Sequence, residues 1–178
     1  YGNPRPTSPA IDALARKGVL FERATSHAAW TLPGFIGLLS GSYPSRAVYA
    51  QGRLRHSLVE RLQAAGYATA AFTEGAYVSR AFGMDHGFES FVESESRIRL
   101  KEAGESDEAD RAGEIAGRGG IGHTVDLAIA WLRENGERPF FLLVHSYEPH
   151  LPYRRRDFAE GLEAGSLGPS YEVAHARA

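Results

Sequence analysis

Apolar positions along the chain change spacing from one segment to the next, and the spacing predicts the elements. Ile11, Leu14 and Ala15 share one face at helical spacing, with Ser8 as a cap, Pro9 in the first turn and Gly18 at the end, so a short helix is predicted there. Val19 to Ala24 reads as a strand. A loop rich in Ser, His and Ala leads to Trp30, Thr31, Leu32 and Pro33, and Leu32 to Leu39 reads as a second helix closed by Gly41. Ser57 to Glu60 fits a capping box, in which hydroxyl and carboxylate each satisfy a free backbone donor, so a helix should run from there to Gly66. Tyr67 to Thr73 follows as a strand of small, buried character. Val125, Ala128, Ile129 and Leu132 mark a further helix that Asn135 and Gly136 terminate. Phe140 to Ser146 is the clearest strand, an uninterrupted apolar run of the kind that helices cover on both faces. The alternation of helix and strand predicts an α/β fold with a mostly parallel sheet flanked by helices.

Composition narrows this picture. A chain of 178 residues, 43% hydrophobic and 24% charged, holds one domain or part of one. From about residue 94 to 122 the composition shifts to Glu, Arg, Ser, Gly and Asp, which predicts a charged, solvated and partly flexible insertion. The net charge of -2 and a pI near 6.4 give no electrostatic reason to expect nucleic acid or an anionic membrane as partner. The absence of cysteine removes disulfides, thiolate zinc sites and cysteine nucleophiles together. No stretch approaches the roughly 20 apolar residues that span a bilayer. The chain opens on Tyr1 in a turn-rich segment, which reads as an internal position of a longer protein.

In open α/β sheets ligands bind beyond the carboxyl ends of strands, where helix N-termini present N–H groups. Two residues are predicted to lie there. Thr31 follows the first predicted strand and directly precedes a helix. His150, in Glu148-Pro149-His150-Leu151-Pro152, follows the last one. Taken alone, Thr31 reads as an ordinary N-cap and His150 as a loop histidine between two prolines. Four other groupings carry less. Asp85-His86-Gly87 has the look of a metal motif, but its surroundings from Phe82 to Phe91 read as a packing segment. Gly117 to Gly122 formally matches a dinucleotide fingerprint with no predicted strand before it. His145, Glu148 and His150 sit on a strand and turn rather than at helical i, i+4 spacing, and Arg154 to Arg156 reads as a solvated turn.

Three segments, in order, resemble the sulfatase family of the alkaline phosphatase superfamily. Thr7-Ser8-Pro9-Ala10-Ile11-Asp12-Ala13-Leu14-Ala15, followed by Gly18-Val19-Leu20-Phe21, is similar to the sulfatase opening Thr-Pro-x-Ile-Asp-x-Leu-Ala before Gly-Val-x-Phe. Ala29 to Arg46, with Leu38-Leu39-Ser40-Gly41-Ser42-Tyr43-Pro44, resembles the nucleophile segment ending Leu-Leu-Thr-Gly-x-Tyr-Pro. Phe140 to Tyr153 resembles the Pro-Phe-Phe-Leu segment that runs to Pro-His-x-Pro-Tyr. The resemblance implies an incomplete alkaline phosphatase-like catalytic domain over residues 1–178, acting on a small sulfate or phosphate ester. It implies Thr31 as the nucleophile and as a metal-contacting residue, and His150 as the histidine that contacts the transferred group and protonates the leaving group. A divalent metal (Ca, Mg, Mn or Zn) is expected in the full-length parent.

The chain departs from the family pattern at several points. Sulfatases oxidise a cysteine or serine to formylglycine, whereas Thr31 carries a β-methyl and cannot become that aldehyde, so no formylglycine is expected. Phe35 stands where the family has an arginine. Thr73-Glu74-Gly75-Ala76-Tyr77 stands where many members have Gly-Lys-x-His. The family's metal-binding aspartates would lie outside this chain, which alone is expected to bind metal poorly and turn over little. Threonine as nucleophile keeps open a phosphoglycerol or phosphoethanolamine transferase, and the three departures keep open a catalytically silent relative that only binds.

Overall fold

A computed structural model of the protein describes residues 8–43, 52–94 and 120–147. Three strands form one parallel sheet. β1 (Ala68–Thr73) is central, flanked by β2 (Ser90–Glu93) and β3 (Phe140–Val144), in the order β2-β1-β3. The register pairs Ala70 with Ser90 on one side and Ala68 with Phe140 on the other.

Every residue of β1 is buried. Alternate side chains leave a strand on opposite faces, and the alanines and threonines of β1 are short enough for other elements to approach from both sides. On one face Ala70 and Phe72 pack with Ala128, Leu127 and Trp131 of a helix spanning Gly120–Asn135 and with Leu142 of β3. On the other face Ala71 joins Leu32, Ile36 and Leu39 of the helix Thr31–Ser40, together with Leu54, Val59, Met84 and Phe91. Among the described residues the helices are, in chain order, α1 (Pro9–Ala15), α2 (Thr31–Ser40), α3 (Leu58–Ala64) and α4 (Gly120–Asn135), with a 3-10 turn at Arg80–Phe82. Thr69 is buried with its polar groups used: its hydroxyl donates to the Gly87 carbonyl at 2.9 Å and accepts the Glu89 N–H at 3.0 Å.

The predicted capping box is present. The Ser57 hydroxyl accepts the Val59 N–H at 3.1 Å, and the Glu60 carboxylate accepts the Ser57 N–H at 2.8 Å. Pro9 begins α1 as predicted, but the Ser8 side chain does not cap it; the hydroxyl donates to the Asp12 carboxylate instead. The segment Phe82 to Phe91 packs as expected. Gly87 has φ +85, and a Cβ there would lie 2.4 Å from the Glu60 nitrogen, so this turn is pressed against the start of α3. Asp85 pairs with Arg80 at 3.2 Å.

Three expectations are corrected. Val19 to Ala24 forms no strand, and Val19 and Phe21 are 81% and 77% exposed; an extended apolar segment becomes a strand only where a neighbour takes up its N–H and C=O groups, and none of the three described strands runs beside it. β3 is covered on both faces as expected, Phe141 and Leu143 packing on the α2 and α3 side and Leu142 on the α4 side, but it lies at the edge of the described sheet, with Phe140 and Val144 exposed at its ends. The predicted insertion is too wide: Ser94 is buried and bonded to Thr124, and Gly120 to Gly122 form the first turn of α4. Thr31 is the first residue of α2 rather than its cap, a position that Trp30 holds. Residues 95–119, Glu148, His150 and Arg154 to Arg156 lie outside the described residues. Among the described residues no helix is long and apolar enough to cross a membrane.

Candidate active site at the carboxyl edge of the sheet

α2 is apolar along most of its length, and Leu32, Pro33, Ile36, Gly37 and Leu39 are buried. Its start brings Thr31 to a half-buried position. Helix geometry leaves the N–H groups of the first turn outside the hydrogen-bond ladder. Gly34 makes the first ladder bond, to the Trp30 carbonyl at 3.1 Å. Thr31 and Leu32 therefore keep N–H groups for an anion, whereas Pro33 has none to give.

The loop before α2 folds back along the helix. A Cβ on Gly37 would lie 2.8 Å from the His27 Cβ, so only glycine lets the loop lie this close. His27 in turn packs edge-on against Tyr43, with ring centres 5.1 Å apart. Between loop and helix opens a cavity of about 610 Å³, lined by Ser26, His27, Trp30, Thr31, Phe35 and Leu38 among others.

Thr31 and Phe35 are four residues apart and so share one face of α2. That face meets the end of β3. The Phe35 ring lies 5.4 Å from the His145 imidazole, edge to face, and Tyr147 packs on the same imidazole at 4.7 Å. His145 continues the sheet ladder, donating its N–H to the Phe72 carbonyl at 2.9 Å. Its Nδ1 is buried and has no hydrogen-bond partner among the described residues. Burial pushes the imidazole down to about 4, so the ring is neutral near pH 7. Burial chiefly also raises the Tyr147 phenol above its ordinary value.

The loop after β1 completes the rim. Glu74 is 1% exposed, and its two carboxylate oxygens accept the Ser146 hydroxyl at 3.0 Å and the Tyr147 N–H at 2.7 Å. Two residues on, Ala76 takes a left-handed φ of 50, unusual for a residue with a Cβ. Tyr77 donates its N–H to the Tyr147 phenol oxygen at 3.3 Å and packs edge-on against Trp30 at 5.5 Å. The starts of three segments, at Trp30, Glu74 and His145, thus meet at one edge of the sheet.

Of the two predicted site residues, Thr31 stands at this edge and His150 lies outside the described residues. The sequence offered Glu74 only as the residue replacing a lysine, and His145 only as one member of a loose metal grouping; neither reading contained the bond from Glu74 to the β3 turn. Among the described residues no group of three or more His, Cys, Asp or Glu is placed to hold a metal ion. Thr31 is surrounded by Trp30, Phe35 and Leu38 rather than carboxylates, so these residues by themselves do not fit a divalent metal.

A parallel sheet covered by helices, with a hydroxyl at a helix start over its carboxyl edge, defines an α/β protein of the alkaline phosphatase-like type. The chain belongs to the sulfatase family, whose profile matches residues 1–166. At that level it is a sulfatase-like hydrolase or a related member of the same superfamily. No curated protein and no solved structure matches it.

Proposed function

We propose that the protein cleaves a small sulfate or phosphate ester with the Thr31 hydroxyl as nucleophile. The observation that carries this reading is the position of Thr31: first residue of α2, open to a cavity, on the helix face that meets the residue after β3. The Thr31 oxygen would form a bond to sulfur or phosphorus as the bond to the ester's alcohol oxygen breaks, and the Thr31 proton would pass to a base. The departing alkoxide would take a proton from His150, and water would then hydrolyse the threonyl ester to free Thr31 and inorganic sulfate or phosphate. The N–H groups of Thr31 and Leu32 would bear on the non-bridging oxygens. Family members generally use a divalent metal, and its ligands here would have to come largely from beyond the described residues.

The chemistry of threonine also supports a second reading, transfer of a phosphoglycerol or phosphoethanolamine group. Threonine attacks as an alkoxide and cannot form the aldehyde hydrate that expels sulfate. The full-length gene product, assayed on aryl sulfates and phosphodiesters with a divalent metal supplied, should lose at least about 100-fold in turnover on Thr31→Ala. Thr31→Ser should retain activity. Turnover unchanged in Thr31→Ala would remove the nucleophile assignment, and no turnover on any ester in the unmutated protein would favour a relative that only binds.

A further inference from the structure

We infer that Glu74 is a positioning residue, whose buried carboxylate clamps the turn after β3 and so fixes the His145 imidazole against the Thr31 face of α2. The inference rests on the reading of that face as the active site.

A carboxylate is costly to bury unless its oxygens are hydrogen-bonded. At 1% exposure Glu74 meets that condition with two donors 72 and 73 residues away along the chain, so its bonds join the end of β1 to the end of β3. Both donors belong to the two residues directly after His145. On the other side of His145 the backbone is already held, through its own N–H, to the Phe72 carbonyl. His145 is therefore pinned before and after itself, by the sheet and by Glu74. The ring has no comparable anchor. Its Nδ1 has no hydrogen-bond partner among the described residues, where its orientation comes from the rings of Phe35 and Tyr147. Tyr147 is in turn placed by the Glu74 carboxylate at its N–H and by Tyr77 at its phenol. Without the carboxylate, one of the two rings that hold the imidazole loses the bond that ties its backbone to the end of β1. An apolar residue would fill the space at position 74 but would offer the Ser146 hydroxyl and the Tyr147 N–H no carboxylate oxygen to bond.

Nuclear magnetic resonance of the imidazoles in the full chain tests this, with His145→Phe used to assign the His145 signals. In the unmutated protein His145 should show contacts to the Phe35 and Tyr147 rings and one neutral tautomer at pH 7. In Glu74→Ala those contacts should disappear and the signals should move to the positions of exposed histidines. Glu74→Gln should restore them, because its amide oxygen accepts the Tyr147 N–H while its NH2 donates to the Ser146 oxygen. A purely structural role for Glu74 would lower the thermal midpoint and leave the His145 contacts in place. That outcome, in a Glu74→Ala protein that still melts cooperatively, overturns the inference. Should Glu74→Ala fail to fold, Ser146→Ala decides: weakened Phe35 to His145 contacts support the clamp, and unchanged ones overturn it. No readout depends on turnover, so a failed Thr31 assignment and a failed Glu74 assignment remain distinguishable.

Discussion

The residues around β1 and those from α1 to Phe21 are both rich in apolar side chains, yet they end in opposite environments. Around β1, Leu39, Leu54, Val59 and Met84 are at most 1% exposed. Between Ile11 and Phe21, Ile11, Leu14, Val19 and Phe21 are all more than half exposed. The difference lies in the partner surface. Apart from Phe72, β1 is built from alanine and threonine, which let α4 approach one face and α2 and α3 the other, while the described residues offer α1 and its continuation no such face. Apolar content alone therefore does not say which segments hold the protein together.

Substitutions in the two regions should separate them sharply. Leu39→Ala empties a buried site and should lower unfolding stability by about 2–5 kcal/mol, read from the denaturant midpoint. Equal midpoints for Leu39→Ala and Leu14→Ala would break the comparison. Gly87→Ala forces a Cβ into the α3 backbone at a left-handed φ and should cost about 2 kcal/mol. A smaller effect should come from pH. His145 is held neutral with its folded value near 4 against an ordinary 6.5, so between these the unfolded chain binds more protons. Its contribution is complete above about pH 6.5, falls as the pH drops toward 4, and changes no further below that. Comparing midpoints at pH 7 and pH 4.5 in the unmutated protein and in His145→Phe checks the sign: the variant should lose part of the acid sensitivity. The smallest effect is expected for Leu14→Ala, which is 71% exposed in the unmutated protein and should stay within about 0.5 kcal/mol of it.

The candidate site is held unevenly. The loop after β1 is tied down by the Thr73 hydroxyl donating to the Val78 carbonyl at 2.8 Å, the Ser79 hydroxyl donating to the Ala76 carbonyl at 2.6 Å, and the Glu74 clamp. The loop before α2 is held by the local contact of Ser26 with Ala28 and by the seat of His27 against Gly37, and it borders the cavity. Substrate selection would then fall to the second loop and orientation of the reacting groups to the first.

Local rules were enough for the elements with local causes. The Ser57 and Glu60 capping box, the α2 stop at Gly41 and the stripe from Val125 to Leu132 follow from contacts within a few residues, and the strands at Ala68 and Phe140 from local runs of small or apolar residues, which is why they were legible in the sequence. Thr31 at a helix start belongs with them. The non-strand at Val19 to Ala24 and the edge position of β3 were not legible, because both depend on which strand, if any, lies alongside. The same holds for Glu74: nothing within several residues of it marks a clamp, since its partners stand more than 70 residues away and reach it only through the parallel pairing of β1 with β3. Sequence alone determined the elements, the parallel α/β class and the family resemblance at Thr31. Tertiary structure decided which apolar segments are buried and which polar groups meet at the sheet edge, because burial and long-range hydrogen bonds require a partner that no local pattern specifies.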